Sequence, residues 1–383
     1  MCYTVAMKAY LPLLAVLPVL AFSQEDRSLR NLPPVEKGQG PRVAVPADLV
    51  WPEKPGDADV CLWKDDKFAA CSITIDDNCK PDHDWWLKLT EECGIKVTWF
   101  VITDGVVNKK NPGFAGTWAD WQRLADAGHA IESHTTNHRS AKKGEEIPEE
   151  DLRAMYGDSL KAINENITGH VASCIAYPSG DAHADIAKDY AIACRGVYGV
   201  PSAAGTINYL CTNKGAGGEG YIDVILTGTT DKDPKWLAGK KELRRGWNIV
   251  LYHFVHAGRS DEEKEKNAAG AEAEVRNIAA HKDVIWVGRF PDVARYGQER
   301  DTAELKTVSV AADRIELSLA DRMDDALFAY PLTVKVRLPD DWKTADATQA
   351  AAAAPCRVVE HDGAHFALVD AVPDRGAILL MRK

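Results

Sequence analysis

The feature that most constrains this chain is an alternation between short, unbroken apolar runs and longer amphipathic stretches, sustained from about residue 60 to about residue 300. The runs at 68–75, 95–102, 129–133, 174–177 and 248–254 are rich in β-branched and aromatic residues and do not alternate apolar with polar. Such runs predict strands buried on both faces, as in a parallel sheet covered by helices. Between them, helical periodicity is expected at 83–93, 118–127, 148–164, 183–193, 232–245, 262–281 and 290–299. Gly94 stops the first of these, while Thr117 caps the second and Gly128 ends it. Further strands are expected near Val197, at 221–227 and at 284–287. About seven strands over roughly 240 residues suit a closed or nearly closed barrel, whose functional residues lie at the C-terminal ends of the strands.

After about residue 300 the pattern changes. Short strands at 308–310, 314–319, 332–338, 357–360, 365–369 and 377–381, punctuated by Asp, Gly and Pro, predict a small antiparallel β-sandwich. The alanine run at 350–354 reads as a loop. The division expected is a signal peptide at 1–23, a Pro-rich mobile lead-in at 24–55, the barrel at 56–300 and a β-rich accessory domain at 301–383. Lys8 followed by a short apolar segment predicts export to the periplasm or the cell exterior, with Met7 as an alternative start and no later membrane span. The nine cysteines contain no CxxC pair, which argues against a cysteine zinc or redox site. The even number beyond the signal permits disulfides, although Cys71 and Cys174 lie in apolar runs and read as core residues. A net charge of −11 without a basic run argues against nucleic acid or anionic membrane as partner.

The chemistry-bearing residues fall where the barrel would need them. Asp76 and Asp77 follow the strand at 68–75, His134 and His138 follow the strand at 129–133, and His253 lies near the end of the strand at 248–254. Carboxylate oxygen and imidazole nitrogen together suit zinc and similar divalent ions, and a protein triad leaves positions open for water and substrate. Each signal alone has a plainer explanation: an acidic pair is commonly a solvated turn, and a histidine in an apolar strand is commonly a hydrogen-bonded core group. Their shared position at strand ends is what joins them into one candidate site.

These residues resemble the polysaccharide deacetylase family, also called the NodB-homology or carbohydrate esterase 4 family. Thr74-Ile75-Asp76-Asp77 resembles its Thr-Phe-Asp-Asp motif, and His134-Thr135-Thr136-Asn137-His138 its His-Ser/Thr-x-x-His motif, preceded by a Gly-His-x-Ile-x-Ser run at 128–133. Ala176-Tyr177-Pro178-Ser179-Gly180 resembles its Arg-x-Pro-aromatic-Gly turn, and Leu251-Tyr252-His253 its Leu-x-His motif. The resemblance covers roughly residues 69–300. It implies a distorted (β/α)7-type barrel and a metal-dependent removal of acetyl groups from poly- or oligosaccharides. Carried over by residue, it implies that Asp77, His134 and His138 hold the ion. Asp76 would be general base and His253 general acid, with Tyr177, Pro178, Ser179 and Gly180 shaping the substrate and oxyanion site. Zinc is the default ion; Co2+, Ni2+ and Mn2+ suit the same ligands.

Those roles are chemically coherent. Hydrolysis of an acetamide or acetyl ester needs an activated water, a stabilised oxyanion and a protonated leaving group. The departures from the family pattern are specific. Ala176 stands where the family has an arginine that orients the base, and Arg195 is the candidate replacement. Ser179 stands where an aromatic is usual. The family's Asp–Trp motif has only Asp223 and Trp247 as stand-ins, and His256 is the alternative acid. His83 reads either as a cleft residue or as an exposed helix start, and most of Trp85, Trp86, Trp99, Trp118 and Trp121 read as core. An alternative function is a catalytically impaired carbohydrate-binding protein on the same barrel. A glycosidase fits poorly, because adjacent acids on an extended strand point to opposite sides and cannot flank one bond.

Overall fold

The structure is a computed structural model that describes residues 28–109, 111–197, 199–213, 221–229 and 241–383. The signal peptide expected at 1–23 lies outside them, as does most of the helix expected at 232–245. No helix among the described residues is long and apolar enough to cross a membrane.

In chain order the first elements are β1 (Ala58–Val60), β2 (Ala69–Ile75), α1 (His83–Cys93), β3 (Thr98–Val101), α2 (Thr103–Val107), α3 (Pro112–Ala115) and α4 (Trp118–Asp126). Next come β4 (Ala130–Ser133), α5 (Glu149–Asn166), β5 (Cys174–Ala176), α6 (Ala184–Ala187), β6 (Ala193–Arg195) and α7 (Ile222–Thr227). The barrel half ends with β7 (Trp247–Tyr252), α8 (Asp261–Ala280), β8 (Ile285–Val287) and α9 (Phe290–Thr302). The remainder is strand: β9 (Glu304–Val310), β10 (Arg314–Ala320), β11 (Leu332–Arg337), β12 (Ala345–Gln349), β13 (Ala352–Ala354), β14 (Cys356–His361), β15 (Ala364–Ala371) and β16 (Ile378–Arg382).

The first half folds as a curled parallel sheet in the order β6-β5-β4-β3-β2-β7, with β8 also paired to β2. This is the nearly closed barrel that the alternation predicts, in the distorted (β/α) form that the resemblance implies. Among the described residues there is no direct ladder between the edge strands β6 and β7, and residues 202–212 span the gap. Ser202 exchanges two 2.9 Å backbone hydrogen bonds with Trp247, and Cys194 N–H donates to the Tyr209 carbonyl at 2.7 Å.

Both faces of the sheet are buried, which explains the unbroken apolar runs. Ile73, Ile75, Trp99 and Ile131 face one cluster with the helix residues Trp86, Trp121 and Val275. Ala70, Phe100, Trp247 and Ile249 face a second cluster, closed below by Phe290 and Val293 of α9. Burial of each large aliphatic side chain contributes roughly 1.5–3 kcal/mol. Helix-end signals work as read: Gly94 takes φ +64° after α1, and Thr117 forms a reciprocal capping box with Asp120 at α4.

Three segments differ from expectation. Residues 222–227 form α7 rather than a strand. Ile222 and Ile225 point into the barrel-side core while Gly228, at φ +81°, terminates the turn by donating to the Val224 carbonyl. Residues 183–193 hold only the short α6, and β6 ends at Arg195, before Val197. The alanine run is not a loop throughout: Ala350 and Ala351 turn with positive φ, and β13 then pairs antiparallel with the unanticipated β12.

The C-terminal strands form the expected sandwich of two antiparallel sheets, β1-β11-β15-β14 and β13-β12-β16-β10-β9. β1 belongs to it by pairing with β11, although it precedes the barrel in sequence. The sandwich residues Ile315, Leu317, Val334 and Val336 share the second cluster with Phe100 and Trp247, so one continuous core spans barrel and sandwich. The segment before β1, expected to be mobile, is held down from Leu29 onward. Leu32 N–H donates to Gln298, Arg42 N–H to the Gly205 carbonyl, and Lys335 to the Val50 carbonyl, each at 2.7–2.8 Å. The eight described cysteines are all unpaired, so the permitted disulfides are absent among them; Cys71 and Cys174 are core residues as read.

Candidate metal centre

Strand register brings the chemistry together. Ile75 pairs with Tyr252 across β2–β7, so the next residues, Asp76 and His253, leave the sheet side by side. Asp76 N–H donates to the Tyr252 carbonyl at 2.9 Å and extends that ladder by one step. Val101 pairs with Ser133 across β3–β4, which delivers His134 to the same end of the sheet.

Asp76 continues the strand, with its carboxylate buried on the side of the sheet that carries Arg195. Asp77 does not continue it. Asp77, Asn78 and Cys79 have φ of +63°, +66° and +44°, a left-handed run of non-glycine residues. The turn swings the Asp77 carboxylate back, so that both acids reach the same atom: His134 Nε2 lies 3.5 Å from Asp76 Oδ2 and from Asp77 Oδ1. The expectation that the two acids point to opposite sides therefore fails, because the strand ends between them. Asn78 anchors the turn by accepting from Ile102 N–H at 2.8 Å and donating to the Ala115 carbonyl at 3.0 Å.

The histidines are arranged by a second strained turn, with Thr135 at φ +65° and His138 at φ +58°. Thr135 N–H donates to Ser133 Oγ, and His138 N–H donates to Thr135 Oγ1. His138 Nε2 is then 3.5 Å from Asp77 Oδ1. His134 Nδ1 faces the Ala176 carbonyl at 2.9 Å and, as donor there, leaves Nε2 with a free lone pair. Burial lowers the His134 pKa against the opposing pull of Asp76, which favours the neutral, ligating imidazole.

Asp77, His134 and His138 each offer one ligand atom, and these atoms lie within 4.8 Å of one another. Asp76 Oδ1 and Asp77 Oδ1 are buried without a hydrogen-bond donor among the described residues. A carboxylate oxygen left without a donor, opposite two imidazole nitrogens, is the arrangement a divalent cation completes. The residues present fit a metal ion.

Arg195, at the end of β6, donates to Asp76 Oδ2, and its guanidinium lies 5.2 Å from the centre of the Phe100 ring. His253 is 55% exposed, with Nε2 3.7 Å from Asp77 Oδ2. Ser179 is exposed at the tip of its turn with φ +54°. Tyr177 is fully buried and donates its hydroxyl to the Leu210 carbonyl at 2.8 Å, so its ring is spent on the core. Neither stand-in for the Asp–Trp motif reaches the site: Asp223 is exposed on α7, and the Trp247 indole donates to Ser72 at the opposite end of β7. His83 is neither cleft residue nor exposed start; it is buried between the rings of Trp99 and Trp121. Trp86, Trp99 and Trp121 are core as read. Sequence reading left out Asp82, which is buried and accepts from His256 Nδ1 at 2.5 Å; its place in a polar helix start gave no signal.

The curled parallel barrel carries acids and imidazoles at the carboxyl ends of its strands, and together they form a candidate metal centre. Residues 64–193 match the family model described as polysaccharide deacetylase. The chain is 37% identical over 377 residues to a gellan lyase from Bacillus sp, a match that takes in 94% of this chain. It spans only 15% of that relative's length. Among solved structures, the Streptococcus pyogenes deacetylase PplD in complex with acetate is 21% identical, over 37% of this chain and 62% of that one, at a TM-score of 0.32. A carbohydrate esterase 4 family pseudoenzyme from Bacillus anthracis is 12% identical, over 59% and 66% of the two chains, at a TM-score of 0.38. At these scores the solved structures add no weight to the family assignment.

Proposed function

We propose that the protein is an exported, metal-dependent hydrolase that removes acetyl groups from a glycan. The observation that carries this reading is the Asp77–His134–His138 cluster beside a separate carboxylate, Asp76, held by Arg195. Two acids with different partners can divide the work. Asp77 faces the imidazoles and holds the ion, while Asp76, tied to a guanidinium, is the base that takes the proton from the attacking water. When bound, a divalent ion acidifies water and polarises the acetyl carbonyl.

The reaction adds water to the acetyl carbon and breaks the bond to the sugar nitrogen or oxygen, releasing acetate and the free amine or hydroxyl. His253, half-exposed at the rim, gives its proton to that leaving atom. The Ser179 N–H, at the exposed tip of the turn from Pro178 to Gly180, is the donor to the developing oxyanion. Arg195 is a positioning residue that keeps Asp76 aimed.

The test measures bound metal and acetate release together on chitin oligomers, peptidoglycan fragments, acetylated xylan and acylated gellan, the last suggested by the relative's name. Metal-dependent acetate release from one of these is expected. Full metal occupancy with no acetate from any of them would favour a carbohydrate-binding role instead. Determination of the mature N-terminus tests the export that residues 1–23 suggest.

A further inference from the structure

Among the described residues, His253 takes little support from its neighbours: the polar contact of its side chain is Asp77 Oδ2, 3.7 Å away. Its position is set by the backbone on either side. Before it, the Tyr252 carbonyl accepts from Asp76 N–H at 2.9 Å. After it, Val255 N–H donates to Asp82 Oδ2 at 2.6 Å and His256 Nδ1–H donates to Asp82 Oδ1 at 2.5 Å. The loop from β7 is thus pinned at both ends to the loop from β2 that carries the two site acids.

Asp82 is fully buried and sits at the N-cap position of α1, where an aspartate normally caps its own helix. It makes no such cap. Both oxygens are directed at the loop after β7, and its own N–H donates to the Cys79 carbonyl at 2.9 Å within the left-handed turn after Asp77. The far side of the loop is packed as well: Trp85 meets the His256 ring edge-on with centroids 5.9 Å apart, and Phe254 meets Phe114 at 5.7 Å. A buried carboxylate turned away from its own helix onto two donors of a neighbouring loop is costly unless those donors are fixed. It also fixes the His256 tautomer.

We propose that Asp82, through the Val255 amide and His256, is the positioning residue that holds His253 over the Asp77–His134–His138 cluster. The inference rests on the reading of His253 as the acid, and its test separates the two. An acid is needed only when the leaving group is poor. An acetylated amino sugar needs a proton on nitrogen, whereas the 4-nitrophenolate of 4-nitrophenyl acetate departs without one.

The experiment compares metal-loaded wild type, His253→Ala, Asp82→Ala, Asp82→Asn and His256→Ala on both substrates, with metal content measured on each. His253→Ala is expected to lose about 100-fold in turnover on the acetylated sugar. Asp82→Ala is expected to lose about 10-fold or more there. Asp82→Ala should keep its 4-nitrophenyl acetate turnover within about 3-fold, and both should keep their full metal content. Asp82→Asn retains one acceptor for the Val255 amide and should lose less than Asp82→Ala, with His256→Ala between wild type and Asp82→Ala. Hydrogen exchange at the Val255 amide should speed up in Asp82→Ala and stay slow in Asp82→Asn.

Full sugar turnover in Asp82→Ala alongside a disabled His253→Ala would overturn the positioning role. Equal loss on both substrates in Asp82→Asn and His256→Ala would assign the pair to folding and overturn it too. An unimpaired His253→Ala would overturn the acid reading instead. In that case slow Val255 exchange that depends on Asp82 would still establish the clamp.

Discussion

Ala176 and Arg195 are register partners across β5 and β6, and the guanidinium of Arg195 reaches Asp76 from directly opposite the position where the family usually carries its arginine. Arg195→Ala should lower turnover on the order of 100-fold with metal content unchanged, because the base loses its aim. It should also destabilise the fold by about 3–5 kcal/mol, since Asp76 would be left buried and uncompensated. Adding Ala176→Arg to that variant should recover part of both losses, read by turnover and by the urea midpoint; no recovery would mean that the two positions are not equivalent.

The two acids should separate experimentally. Asp77→Ala is expected to lose bound metal and activity together, because it removes the oxygen that both imidazoles face. Asp76→Asn is expected to retain metal and lose at least about 100-fold in acetate release, as for removal of a general base. Metal analysis beside an acetate assay decides this, and full activity in Asp76→Asn would reverse the assignment.

Removal of the ion should also be visible in stability. A ligand that binds only the folded protein stabilises it by about 2.7 kcal/mol at a hundred times its dissociation constant. Chelation should therefore lower the melting temperature of the wild type and leave that of Asp77→Ala unchanged. A chelator-insensitive melting temperature in the wild type would mean that the cluster does not take an ion.

Stability should fall in mild acid through a histidine far from the chemistry. His129 is buried, and its Nδ1 accepts from Val97 N–H at 3.1 Å while Nε2 faces Thr90 Oγ1 at 3.3 Å. Burial foremost, with Lys96 and Arg289 adding to it, lowers its pKa from 6.5 to about 3. A folded pKa below the unfolded one contributes stability that is complete above pH 6.5 and lost as pH falls toward 3, at up to about 1.4 kcal/mol per pH unit. Denaturant titrations between pH 7 and 4 should show a shallower loss for His129→Gln than for the wild type. Identical slopes would mean that His129 does not titrate with unfolding.

Much of this was legible in the chain. The unbroken runs of β2, β3 and β7 announced strands buried on both faces, and a parallel sheet follows because only crossover helices cover both sides. Gly94 and Thr117 marked helix ends because each supplies a local backbone solution that does not depend on the rest of the fold. The segment 221–227 misled because a short β-branched run has no period of its own. Its helical state comes from Ile222 and Ile225 meeting the barrel-side core, with Gly228 closing the turn.

By itself the sequence determined which residue types could do chemistry and that they stand at strand ends, since strand propensity and burial are properties of neighbouring residues. Only the tertiary structure decided how they are used. The left-handed turn after Asp76 swings Asp77 onto the imidazoles, the β5–β6 register sets Arg195 beside Ala176 with its guanidinium on Asp76, and Asp82 turns from its own helix to the loop after His253. Each of these depends on a contact between residues far apart in the chain, and spacing along the sequence carries no record of it.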